Sequence, residues 1–205
     1  MEFVFGIVGK DFTLLCSDGN AARSIICYQQ NHDRIIDLNK HNALAMSGDP
    51  GDVEQFSEFI KANMQLYSMR NNYETTPAET ACYTRRTLAT AIRKNPYQVM
   101  LLTGGYDTME NKPSLHYMGM YGSMVSVPFA AHGYGQMFTC SLLDRWYRPD
   151  LTEEQAIDLF KKVCQELQRR FIVNLPTFKL KKIDKDGVTV KCYKIECDKN
   201  FENFC

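Results

Sequence analysis

Short apolar-rich runs separated by polar punctuation fill the first part of the chain, at residues 3–9, 12–17, 25–28, 35–38 and 42–47. Their length and their β-branched and aromatic content predict strands. Gly9-Lys10-Asp11 reads as a hairpin turn, and Gly48-Asp49-Pro50-Gly51-Asp52 stops the sheet. The period then changes. Phe56, Ile60, Met64 and Tyr67 recur at helical spacing on one face, behind Asp52 and Gln55 read as a capping box. Thr76-Pro77-Ala78-Glu79 is a stronger start signal, with an N-cap hydroxyl, Pro at the first helical position and a Glu reaching back. The helix it opens is expected to run to about Arg93, before Asn95-Pro96.

Strand chemistry returns at residues 97–106, 114–118 and 123–131. Gly133-Tyr134-Gly135 leads into a helix ending near Tyr147. Thr152-Glu153-Glu154-Gln155 is a second capping box, followed by a stripe of Leu159, Val163, Leu167 and Phe171. A hairpin of 177–183 and 188–190 around Asp184-Lys185-Asp186-Gly187 closes the pattern. The order is strands, two helices, strands, two helices, strands. Helices inserted in pairs can cover both outer faces of two mainly antiparallel sheets, giving an α+β, four-layer α-β-β-α sandwich. Periodicity by itself leaves other α+β folds open.

No repeat or linker divides the chain, so residues 1–190 read as a single domain and 191–205 as a C-terminal tail. The tail mixes charge with Phe201 and Phe204, and reads either as a frayed terminus or as an arm packing on a neighbouring subunit. At 205 residues, a single domain buries roughly 70% of its unfolded surface. Lys plus Arg and Asp plus Glu each number 24, so no bulk field draws in nucleic acid or an anionic membrane. No apolar run approaches the ~20 residues needed to span a bilayer.

The eight cysteines, Cys16, Cys27, Cys82, Cys140, Cys164, Cys192, Cys197 and Cys205, contain no C-x-x-C pair. Free thiols are expected, in a soluble intracellular protein without a signal peptide. Cys192 and Cys197 have neither a partner pair nor a nearby His, so no metal site is expected. Gly133 and Gly135 lack the Lys that phosphate loops carry, and Asp49 and Asp52 would repel a phosphate at Gly48 and Gly51. No cofactor is expected. His132 stands beside glycines without a Ser or Cys in an elbow, which fits a packing or capping residue.

Several longer runs are more specific. They include Gly51-Asp52 with Gln55-Phe56, Gln65-Leu66-Tyr67-x-Met69-Arg70-Asn71-x-Tyr73-Glu74, and Thr84-Arg85-Arg86-x-Leu88. Gly105-Tyr106-Asp107, Pro128-Phe129-Ala130-Ala131-His132-Gly133-Tyr134-Gly135 and Asp144-Arg145 follow. The set ends with Gln168-Arg169-Arg170-Phe171-Ile172 and Asn174-Leu175-Pro176-Thr177-Phe178. In these runs the chain resembles β subunits of the eukaryotic 20S proteasome core particle, most closely the type at the fourth β-ring position. The likeness covers residues 2–190 and is weaker at 31–49. It implies the four-layer sandwich of the N-terminal nucleophile hydrolases.

Active members of that family carry an N-terminal Thr, whose hydroxyl is the nucleophile and whose α-amino group accepts the proton. An Asp and a Lys tune it, and a later Ser and Asp hold the amine. Carried over by position, the resemblance places the family's Asp on Asp18, and there the agreement ends. The Thr position falls on Glu2 or Met1, the Lys position on Arg34, the later Ser on Tyr134, the later Asp on Phe171 and a further Ser on Asn174. An Arg holds a carboxylate but trades no proton near neutral pH. The chain contains no Gly-Thr dipeptide for autolysis, and exposing Thr13 would remove a whole strand. Asp18 and Ser17 then read as turn residues, with Asp18 paired to local backbone or to Arg34.

The resemblance therefore implies a non-catalytic structural subunit with no catalytic residues, working in ubiquitin-dependent protein degradation in cytoplasm and nucleus. Its implied partners are two β-ring neighbours, the α ring and the opposite β ring of a 28-subunit hetero-oligomer, with Tyr67, Met69, Arg70 and Tyr73 at an interface. Neither nucleic acid nor membrane is an expected partner. The rivals are an active threonine-type endopeptidase and a free-standing binding module.

Overall fold

Strand β1 (Phe3–Val8) alternates strictly: Phe3, Phe5 and Ile7 face one apolar cluster, and Val4 faces another. That two-sided burial is the signature of a sheet covered on both faces. A computed structural model describes residues 2–23, 26–172 and 175–195. β1 turns through Gly9, whose N–H donates to the Phe12 carbonyl, into β2 (Thr13–Asp18). A separate hairpin follows, β3 (Asn20–Arg23) with β4 (Ile26–Gln30), and then β5 (Ile35–Asn39) and β6 (Asn42–Gly48).

Helices α1 (Pro50–Asn71) and α2 (Pro77–Ala91) precede β7 (Val99–Asp107), β8 (Lys112–Met118), β9 (Met124–Ser126) and β10 (Phe129–Gly133). Helices α3 (Gln136–Trp146) and α4 (Glu153–Arg170) lead to the last hairpin, β11 (Thr177–Asp184) and β12 (Gly187–Lys194). One antiparallel sheet has the order β10-β1-β2-β11-β12 and the other β5-β6-β7-β8-β9. Three apolar clusters separate four layers. Leu14, Phe160, Val163 and Phe178 fill the space between the first sheet and α3–α4, and Leu44, Met46, Phe56 and Ile60 fill that between the second sheet and α1–α2. Val4, Leu15, Ala45, Leu102 and Leu115 lie between the sheets. The chain has the α-β-β-α sandwich expected of it.

Both threonine capping boxes form: Thr76 with Glu79 and Thr152 with Gln155 each exchange side-chain and backbone hydrogen bonds. Four local expectations are corrected. The N-cap of α1 is Asp49, with Pro50 in the first turn, so the helix starts before Asp52; the Asp52 carboxylate accepts instead from the Gln98 N–H. Tyr67 continues the α1 stripe in spacing but is exposed, whereas Met64 one turn earlier is buried in the cluster between α1–α2 and the second sheet. The single run expected at 123–131 is two strands in different sheets, broken at Val127-Pro128, where the chain crosses between layers. β12 runs to Lys194, past the expected end at 190, and Ile195 donates to the Pro176 carbonyl. The rest of the tail, 196–205, lies outside the described residues, as do Met1 and Asn174.

Candidate functional site

The start of β1 is tied to β2 by a side chain. The Phe3 N–H donates to Oδ1 of Asp18 over 3.0 Å; Ser17 and Asp18 are not the turn residues expected but the last two residues of β2, both fully buried because the strand is covered on both faces. The same oxygen accepts from Nε of Arg34 at 3.1 Å. Arg34 stands just before β5 and is itself buried, with its Nη2 donating to the Asn20 carbonyl. Burial pushes the Asp18 carboxyl above its ordinary pKa, and the Arg34 charge and the hydrogen bonds from Phe3, Arg34 and Asn20 pull against that rise.

Two further features fix Arg34. Its carbonyl accepts from the Met46 N–H, and the adjacent Ile35 carbonyl accepts from Nζ of Lys181 at 2.6 Å. Lys181 projects from β11 in the other sheet, is buried, and also bonds Asp37 at 2.9 Å. A single lysine thus locks the approach to β5 across the sandwich.

Glu2 completes the cluster. Its Oε2 accepts from the Gly48 N–H at 2.7 Å and from the Ser47 hydroxyl at 3.3 Å, and its Oε1 accepts from Nη1 of Arg34 at 3.4 Å. The carboxylate therefore bridges the first sheet to the end of β6 in the second. Gly133, at φ 87°, is required beside it: a Cβ there would lie 1.9 Å from the Glu2 carbonyl oxygen. That carbonyl also accepts from the Tyr134 N–H.

The structure thus joins Glu2, Asp18 and Arg34, as the opposite charges of the last two suggested, and brings the Tyr134 backbone alongside. It does not bring Phe171 into this cluster. Phe171 caps the C-terminal end of α4 and packs edge-on against Phe138. Thr13 is spent inside the sandwich, donating to the Gly105 and Ser114 carbonyls. His132 is wholly buried, with Nε2 on the Leu101 carbonyl at 3.0 Å and its ring stacked on Tyr117. Burial lowers its pKa to about 4. It is a neutral packing residue joining the two sheets.

Sequence reasoning missed Lys181, Ser47 and Gly48. Lys181 left a signal: it shares a strand face with Ile183, which points between the sheets, and a Lys there demands a partner. Among the described residues no group of three or more His, Cys, Asp or Glu side chains is placed to hold a metal ion, and no helix is long and apolar enough to cross a membrane.

Comparison with known proteins agrees with this architecture. A family model described as "Proteasome subunit" matches residues 3–183. The chain is 43% identical over 187 residues to "Proteasome subunit beta type-2-A" of Arabidopsis thaliana, covering 91% of each. It is 42% identical over 187 residues to "Proteasome subunit beta type-2" of rice, Oryza sativa subsp. japonica, covering 91% of this chain and 88% of the relative. With "Proteasome subunit beta type-4" of Saccharomyces cerevisiae it shares 40% over 189 residues, covering 92% and 96%. A sandwich of this topology and likeness over this length have one reading: the chain belongs to the proteasome subunit family, as a β subunit of the 20S core particle.

Proposed function

We propose that this β subunit is non-catalytic and structural, the counterpart of the relatives named β type-2 in plants and β type-4 in yeast. The observation that carries the reading is Glu2. Its side chain offers neither hydroxyl nor thiol, and its carboxylate is taken up by the Gly48 N–H and by Arg34. Arg34 falls at the position where the family's active members carry a proton-tuning lysine, and a guanidinium does not do that work. The Ser47 hydroxyl is buried and donates to that same carboxylate. Asp18 keeps a structural task, tying β1 to β2 and holding Arg34.

The work left to such a subunit is geometric. It fills one place in a β ring of the 28-subunit particle, contacts two ring neighbours, the α ring and the opposite β ring, and walls the chamber in which ubiquitin-directed substrates are degraded in cytoplasm and nucleus. Contacts between unlike ring neighbours close only if each subunit fixes its angle to the next. The exposed Tyr67, Met69 and Tyr73 on and after α1, and Tyr134 and Met137 at the start of α3, supply apolar surface for such contacts. Intact mass and N-terminal sequencing of the chain from purified particles test the reading. A chain beginning at Thr, Ser or Cys would overturn it, and native mass spectrometry finding only a free monomer in cells would overturn the assembly role.

A further inference from the structure

The segments that carry the donors around Glu2 are held independently of Glu2. Arg34 is fixed by Asp18, by the Asn20 carbonyl and by the Met46 N–H on its own carbonyl. Ser47 and Gly48 are fixed by pairing of β6 with β7, where Gly48 opposes Val99. Gly48 sits so close to that strand that a Cβ would meet the Gln98 carbonyl oxygen at 2.0 Å. The backbone that carries the three donors therefore comes from two separate segments converging on one point, and its support does not come from the residue that fills it. Donors arranged in advance of their ligand are what make an anion site.

From this geometry we infer that the Gly48 N–H, the Ser47 hydroxyl and Nη1 of Arg34 form a carboxylate-binding site, which the chain fills with its own Glu2 and which accepts a small free monocarboxylate when that side chain is removed. The inference rests on the reading of Glu2 as an occupant rather than a nucleophile, and extends it. Asp18 already balances one face of the guanidinium, so the outer nitrogen and the two uncharged donors are left to bind one more carboxylate. Attachment to β1 presents Glu2 at a high effective concentration, which is why a free acid does not compete with it in the unaltered chain.

The test uses core particles assembled with Glu2→Ala or Glu2→Gln chains and reads hydrogen exchange of peptides covering Gly48. In Glu2→Ala the Gly48 amide loses its acceptor, and its exchange is expected to quicken by about tenfold or more. Acetate at about 100 mM restores protection, and chloride at equal ionic strength does not. In Glu2→Gln the amide side chain fills the space, and acetate has no effect. The inference is overturned if acetate fails to restore protection in Glu2→Ala, or if chloride restores it equally. It is also overturned if acetate slows exchange in Glu2→Gln. Should Glu2→Ala chains not enter particles even with acetate present, the site does not accept a free acid and the inference fails. None of these results bears on whether the subunit has a nucleophile, which N-terminal sequencing decides separately.

Discussion

Nε of Arg34 donates to Oδ1 of Asp18 over 3.1 Å in a pair closed off from solvent on both sides. Removing one member of a buried pair leaves the other charge without compensation, so Arg34→Ala is expected to cost about 3–5 kcal/mol. Arg34→Lys keeps the charge but has no fork to reach the Asn20 carbonyl and Glu2 together, and is expected to cost about 1–3 kcal/mol. Denaturant midpoints of the variants check both values. On the proposed non-catalytic reading, Arg34→Lys gains no peptidase activity.

Gly133→Ala places a methyl group against the Glu2 carbonyl and forces an L side chain toward φ 87°. Backbone strain of this kind costs about 1–3 kcal/mol, and the collision displaces the start of β1 as well. The variant should therefore both lower the denaturation midpoint and quicken exchange at Gly48. A midpoint loss with unchanged Gly48 exchange would separate the glycine from the cluster.

His132 makes stability depend on pH in a defined direction. Its folded pKa is about 4 against an ordinary 6.5, so the unfolded chain binds the proton more readily. The full contribution is present above pH 6.5 and is lost as pH falls from 6.5 toward 4, at about 1.4 kcal/mol per pH unit and about 3 kcal/mol in all. Burial lowers the pKa of His116 too, which adds to the same loss. Thermal denaturation across pH 4–7 should show the decline, and His132→Leu should show a shallower one.

Cys16 and Cys164 are buried thiols whose pKa values burial pushes upward, whereas Cys27, Cys82 and Cys192 are exposed. Thiolate is the reactive form, so iodoacetamide should modify the exposed three in the folded chain and spare the buried two until it is unfolded. Peptide mapping after native and denaturing alkylation reads this directly.

What could be read in advance follows the range of the interactions involved. The Thr76 and Thr152 caps were legible because both partners of each lie within one helical turn. Asp52 was read as the cap of α1, and what draws its carboxylate away, the Gln98 N–H, is 46 residues distant. The crossover at Val127-Pro128 was hidden because β9 and β10 each read as strand, and apolar content carries no mark of which sheet a strand joins. At the site, Asp18 and Arg34 were picked out by the family resemblance, and their opposite charges then suggested the pair. The link from Glu2 to Gly48 had no such signal, since a backbone N–H has no sequence identity and only the stacking of the two sheets brings it within 2.7 Å of the carboxylate.

The central claim is that this subunit keeps the sandwich and lacks the chemistry. It is tested most directly by treating purified core particles with a peptide epoxyketone, which captures an N-terminal hydroxyl nucleophile together with its amine, and then measuring the intact mass of each subunit. The account expects this chain at its unmodified mass while active subunits of the same particle gain the adduct. An adduct on this chain, at any residue serving as its mature N-terminus, would contradict it.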